Sequence, residues 1–248
     1  MRYGGQQSKS LKRYSIDTEY ALFGLWITPM DYNFHWRPVF RKLDQLLAAG
    51  LVTMEVAILA MAFGILIGLL LALMKMHGNL AMRGFANGWI EIARNTPALL
   101  QLFFFGFGLG AFGIHLSPFL IVLFGLSFNN AGYLAETFRG GFSAVPKTQI
   151  RAARSLGMSV LQSYLRIIIP QVFRVVYHPM TNQLVWSVLM SSLGMLVGFR
   201  ELSGETQFLA FKTFRMFEYF LVAAIIYYVI VKMILGLSWL IGRRLFRY

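Results

Sequence analysis

Apolar residues run through this chain in membrane-length blocks separated by short polar segments. The first long block, residues 46–74, is interrupted by one acid, Glu55. At 29 residues it exceeds the roughly 20 needed to cross a bilayer as a helix. A second block, 98–113, is preceded by a more polar helical stretch, 85–94, and by Asn95-Thr96-Pro97. Pro97 restricts Thr96 and removes a backbone donor, which predicts a kink or a helix start there. Further spans are expected at 118–137, 175–199 and 217–241. The third carries Asn129, Asn130, Tyr133 and Glu136 in its second half. The fourth carries Pro179, Asn182, Gln183, Ser187 and further hydroxyls. Such helices face protein rather than lipid, because their polar groups need partners. The expected fold is therefore all-α and polytopic, with five transmembrane helices.

The N-terminal region reads differently. Residues 1–19 are polar and basic, and the apolar run 20–30 is too short to span but suits an interface. Trp26, Tyr32, His35 and Trp36 add the amphipathic rings found at headgroup level. Residues 1–45 are thus expected to form a basic extension with an interfacial segment, ahead of a membrane domain at 46–248. No signal peptide is expected, since the first 45 residues hold seven Lys or Arg and no apolar core ending at a small-residue cleavage site.

Between the third and fourth spans, residues 139–174 carry Arg139, Lys147, Arg151, Arg154, Arg166 and Arg174 with no Asp or Glu. Pro146 can open a helix there. Ile150, Ala153, Leu156 or Gly157, Val160 and Leu161 follow helical spacing. Gly157 either interrupts that helix or permits a close backbone approach. A second helical portion is expected over 159–168, ending at Pro170. Two short basic helices suit docking on a partner, although an inert loop obeying the positive-inside tendency has the same composition.

Composition narrows the classes. The 248 residues are 57% apolar and 13% charged, against about 25% charged in soluble domains. The net charge of +13 is spread between spans rather than gathered on one face, which points to anionic lipid and topology instead of nucleic acid. There is no Cys, hence no disulfide, thiol catalysis or thiolate metal site. No nucleophile–base pair, metal-spaced cluster or Walker-type glycine loop occurs, so no catalytic residue, metal site or bound cofactor is expected. Basic residues are densest in 75–94, 139–174 and the C-terminal tail, which places these and the C terminus in the cytoplasm and the N terminus outside. The seven cations of the N-terminal tail fit that sidedness poorly.

The polar span residues have two readings. Asn129 and Asn130 either hydrogen-bond between helices or line a translocation path. Asn182, Gln183 and Ser187 are candidates for the same path. Glu136 is either a ligand for an ammonium group or an anchor for Arg139. Glu55 is either satisfied near an interface or functional. An ion-coupled carrier is disfavoured by five spans without an internal repeat.

The segment Arg151-Ala152-Ala153, followed by Gly157 and by Ile167 and Pro170, resembles the cytoplasmic signature of permease subunits of bacterial ABC importers for polar amino acids. Residues 91–102, 139–149 and 192–202 resemble further stretches of that family. The resemblance implies a type I importer permease fold in the bacterial inner membrane. It also implies that Arg151, Ala152, Ala153, Arg154, Leu156, Gly157 and Met158 form a coupling surface. That surface would dock on a cytoplasmic ATPase dimer, which binds ATP and Mg, while a periplasmic binding protein delivers the solute. Two departures from the pattern stand out: Arg151 replaces the usual Glu, and Leu189 and Met190 replace a Lys and a polar or acidic residue. These changes favour pairing with a second, different permease chain. A non-transporting membrane scaffold is the alternative.

Overall fold

A computed structural model describes residues 32–246; the interfacial segment expected at 20–30 lies outside them. The main body begins at Trp36. It thus takes in residues 36–45, assigned from the sequence to the N-terminal extension.

A single turn, α1 (Arg37–Phe40), leads into α2 (Leu43–His77). At 1.5 Å per residue α2 is about 52 Å long, well beyond the bilayer's hydrocarbon core. Asn79 then caps α3 (Leu80–Asn95), its side chain accepting from the Met82 N–H. One face of α3 is buried through Ala86, Ile90 and Ala93, at i, i+4 and i+7, with Asn87, Gly88 and Trp89 half-buried beside it. The chain turns by 113° at Thr96-Pro97. It continues as α4 (Ala98–Phe103), extended by a π turn and a 3₁₀ turn to Phe112. Among the described residues, four helices are long and apolar enough to cross a membrane, and the bent α3–α4 pair makes a fifth crossing if counted as one.

The third span is longer than expected. Ser117 caps α5 (Pro118–Ala144), which runs through Arg139 and Gly140. Residues 139–144, read from the sequence as loop, are therefore the last turns of a span. Two interactions hold them there. Glu136 receives Lys75 and Arg139 at 2.8 Å each, and Gly141 lies directly against Val176 and Val172.

A short helix, α6 (Lys147–Ser155), follows Pro146. The next helix, α7 (Val160–Ser163), opens with a capping box between Ser159 and Gln162. Contrary to expectation, Pro170 does not end this second portion. A π turn at Tyr164–Ile168 carries the chain into α8 (Ile169–Met190), with Ile169 N–H donating to Tyr164 O. The wider turn absorbs the donor that proline lacks. The helical portion at 159–168 and the fourth span are thus one continuous helical run. A 3₁₀ turn to Val197 follows, then α9 (Leu202–Thr213) and α10 (Met216–Leu245).

Helix α5 is the centre of the bundle, with 61% of its most apolar stretch buried against 11% for α10. It packs most extensively on α2. Gly64 and Gly68 let the two backbones close: a Cβ on Gly64 would stand 2.5 Å from Asn130 Cβ, and one on Gly68 3.0 Å from Ala131 O. At the end remote from α6, Glu201 is fully buried. Its Oε2 accepts from Thr53 Oγ1 (2.8 Å) and Tyr227 Oη (2.6 Å), and its Oε1 from the N–H groups of Ser203 (2.9 Å) and Gly204 (3.1 Å). One carboxylate thereby caps α9 and ties it to α2 and α10. Glu55 is exposed on the surface of α2.

Candidate functional site

A cavity of about 750 Å³ opens between α5 and α8 beside the break at Pro97. Its construction follows from that proline. Without a proline N–H, the carbonyl of Ala93 loses its helical partner. Gln101 Nε2 (3.0 Å) and Asn129 Nδ2 (3.1 Å) both donate to it instead. Gln101 Nε2 also reaches Thr96 O at 3.1 Å and Thr96 Oγ1 at 2.9 Å, while Asn129 Nδ2 donates to Gln101 Oε1 at 3.1 Å. An irregular backbone is thus held open next to a cavity, the setting in which membrane proteins tolerate one.

Across the cavity, Asn130 Nδ2 donates to Ser187 Oγ (3.1 Å) and Gln183 Nε2 donates to Asn130 Oδ1 (2.9 Å). These two bonds link α5 to α8. Asn182 is exposed on the wall, and Tyr133 and Thr137 complete the polar face. Arg94 stacks over the Tyr133 ring at 5.5 Å. The lining side chains are amides, hydroxyls and apolar groups, with no ionised group among them. Such a surface can replace the hydration shell of a small polar solute without binding it tightly enough to trap it. Among the described residues no cluster of His, Asp or Glu could hold a metal ion.

Five of the sequence candidates, Asn129, Asn130, Asn182, Gln183 and Ser187, therefore meet on one cavity. Glu136 does not line it and sits in its ion pairs with Lys75 and Arg139. Both asparagines make interhelical hydrogen bonds and both line the cavity wall. Sequence reasoning missed Gln101, Thr96 and Trp186. The carbonyl freed by Pro97 was the available signal for Gln101, because an amide four residues after a proline can turn back to cap it. Met190, one of the two departures from the family pattern, also lines the cavity.

The basic turn is built as a helix terminus. Gly157 has φ +82°, and the N–H groups of Met158 and Gly157 return to the carbonyls of Ala153 (3.1 Å) and Arg154 (3.0 Å). This is the paired bonding of a Schellman motif, which explains the glycine by backbone conformation. Arg154 Nη1 further donates to Met158 O at 2.7 Å. Arg151, Ala152 and Gly157 are exposed and Leu156 is 83% exposed, whereas Ala153 is buried within the chain. Ala153 supports this turn from inside rather than presenting a surface.

Residues 64–247 match the family described as the binding-protein-dependent transport system inner membrane component. The chain belongs to this family. The arginine transport system permease protein ArgU of Corynebacterium glutamicum is 33% identical over 224 residues, covering 85% of this chain and 68% of its own. A crystal structure of an amino acid ABC transporter with histidines superposes with a TM-score of 0.80 at 30% identity, over 86% of this chain and 100% of that one. The inward-facing MetNI methionine ABC transporter shares the fold, with a TM-score of 0.66 at 16% identity over 83% of this chain and 98% of that one. The protein is thus a multi-pass permease subunit of an ABC importer, and it forms the translocation path for an amino acid or other polar solute. It is the non-catalytic membrane component of its transporter.

Proposed function

We propose that the cavity between α5 and α8 is this permease's half of the solute route, and that an amino acid or closely related solute passes through it. The observation that carries the reading is the convergence of Asn129, Asn130, Asn182, Gln183 and Ser187 on one cavity at a broken span. The turn at 151–158 docks on a cytoplasmic ATPase dimer, which holds the ATP and Mg. Arg151, Ala152, Leu156, Gly157 and Met158 form its contact face, Arg154 braces it and Ala153 backs it. A binding protein delivers the solute at the opposite end, and a second permease chain of different sequence completes the route. The N terminus is periplasmic and the C terminus cytoplasmic, in keeping with the basic residues of 75–94, 139–174 and 243–247.

Reconstitution tests this reading. Liposomes containing the permease, its partner permease and its ATPase, supplied with binding protein, should take up labelled amino acid only with ATP. ATP hydrolysis should rise when loaded binding protein is added. An ATPase that assembles normally yet supports neither uptake nor stimulated hydrolysis would leave the chain as a membrane scaffold.

A further inference from the structure

A second groove, about 260 Å³, lies between α2, α8 and α10, away from the solute cavity. Its polar groups are already used within the chain. Tyr177 Oη donates to Ser238 O at 2.7 Å, and Thr181 Oγ1 and Ser238 Oγ pair at 2.7 Å. What remains is hydrocarbon, from Leu184 and Val188 on α8, Ile234, Leu237 and Ile241 on α10, and Met54 and Ile58 on α2. A surface of this kind takes an apolar chain rather than a polar solute.

The groove-lining stripes have charged ends. On α8, Tyr177, Thr181, Leu184 and Val188 follow one helical stripe, and three residues before Tyr177 the same stripe holds Arg174. On α10, Ile234, Leu237 and Ile241 form the stripe, and three residues further along it holds Arg244. The two helices are antiparallel, and these ends meet: the Phe246 ring lies 5.3 Å from Tyr177 and 6.1 Å from Phe173. Both arginines are exposed, and neither is ion-paired among the described residues. The sequence offers them little compensation, with no Asp or Glu between Glu136 and Glu201 and none after Glu218.

We propose that this groove binds an anionic phospholipid, one acyl chain lying along α8 and α10 and the phosphate held between Arg174 and Arg244. Hydrocarbon contact and charge neutralisation then act on one molecule. Arg243 is off the stripe and stacks on Trp239 at 4.6 Å, so it serves as an internal control.

Native mass spectrometry of the detergent-purified permease–ATPase complex, titrated with phosphatidylglycerol or phosphatidylcholine, tests the site. The wild type should retain phosphatidylglycerol in preference. Arg174→Ser and Arg244→Ser should each weaken that retention by about fivefold, as expected for one cation near a lipid surface. Arg174→Lys and Arg244→Lys should preserve the preference. Leu237→Trp, which fills the groove and leaves both arginines, should reduce retention of both lipids. The proposal is overturned if Arg243→Ser weakens phosphatidylglycerol as much as the stripe variants, because the attraction would then be diffuse. It is equally overturned if the serine variants lose the ATPase while retaining phosphatidylglycerol, since an acidic protein surface would then be the partner.

Discussion

The two sides of α5 show opposite solutions to burying a helix in a membrane. Towards α2 it presents Asn130 Cβ, Ala131 and Leu134 to Gly64 and Gly68, and the backbones approach until no further atom fits. Towards α8 it presents amides and hydroxyls, and about 750 Å³ remains open. The sealed side also closes its polar groups: Glu201, anchored on Thr53 of α2, has four donors on its two oxygens. Close packing sits on one flank of the central helix and the cavity on the other, although α8 also closes on α5 at Gly141.

The strongest test of the sealed side is overpacking. Gly64→Leu is expected to cost about 3 kcal/mol or more, because the nearest neighbours are Cβ and backbone atoms that cannot rotate away. Thermal unfolding in detergent should show a large drop in midpoint. Glu201→Leu leaves four donors around a buried apolar group and should cost about 3 kcal/mol. Burial pushes the Glu201 carboxyl above the ordinary carboxylate range, against the pull of hydrogen bonds from Tyr227, Thr53, Gly204 and Ser203. Its folded form therefore holds the proton more tightly than the unfolded chain. The contribution of Glu201 to stability is full below the unfolded value, about 4.3, and is lost as pH rises through the folded one. Glu201→Gln should flatten this dependence, which melting temperatures across pH would show.

Changes on the open side should act on transport more than on stability. Gln101→Leu removes one of the two donors to the Ala93 carbonyl, together with the bonds to Thr96, and should cost about 1–2 kcal/mol while loosening the break, seen as altered uptake beside a modest loss of melting temperature. Asn182→Ala, on an exposed wall, should fall within about 0.5 kcal/mol of wild type yet change the uptake rate. At the basic turn, Gly157→Asp should abolish ATPase co-purification with membrane insertion intact. Gly157→Asn, which tolerates the left-handed conformation better, should retain more of it. Arg151→Glu is expected to have the smallest effect, a weakened coupling between hydrolysis and uptake.

The spans were legible because twenty-residue apolar runs have no other stable setting in water or lipid. Their ends were less so. Proline marked a real break at Pro97, where the preceding Thr96 turns extended and side chains cap the freed carbonyl. At Pro170 a π turn absorbed the same defect, and the helix continued. Single-residue patterns cannot distinguish these outcomes, because the difference lies in the hydrogen bonds of neighbouring turns. Asn129 and Asn130 were recognisable as polar groups needing partners, but Gln101 and Ser187 as their partners depended on how α4 and α8 pack. Glu201, legible only as one charge in a mixed loop, became a buried cage once Thr53 and Tyr227 were brought to it across more than 140 and 20 residues of chain.

The absence of cysteine offers the most direct measurement of the route itself. Asn182→Cys, introduced alone, should react with a membrane-impermeant thiol reagent in the assembled transporter, and the rate should change on adding ATP and fall with transported solute. Tyr228→Cys, on the lightly buried face of α10, should show neither response. Equal labelling at both positions, indifferent to ATP and solute, would contradict a solute path between α5 and α8.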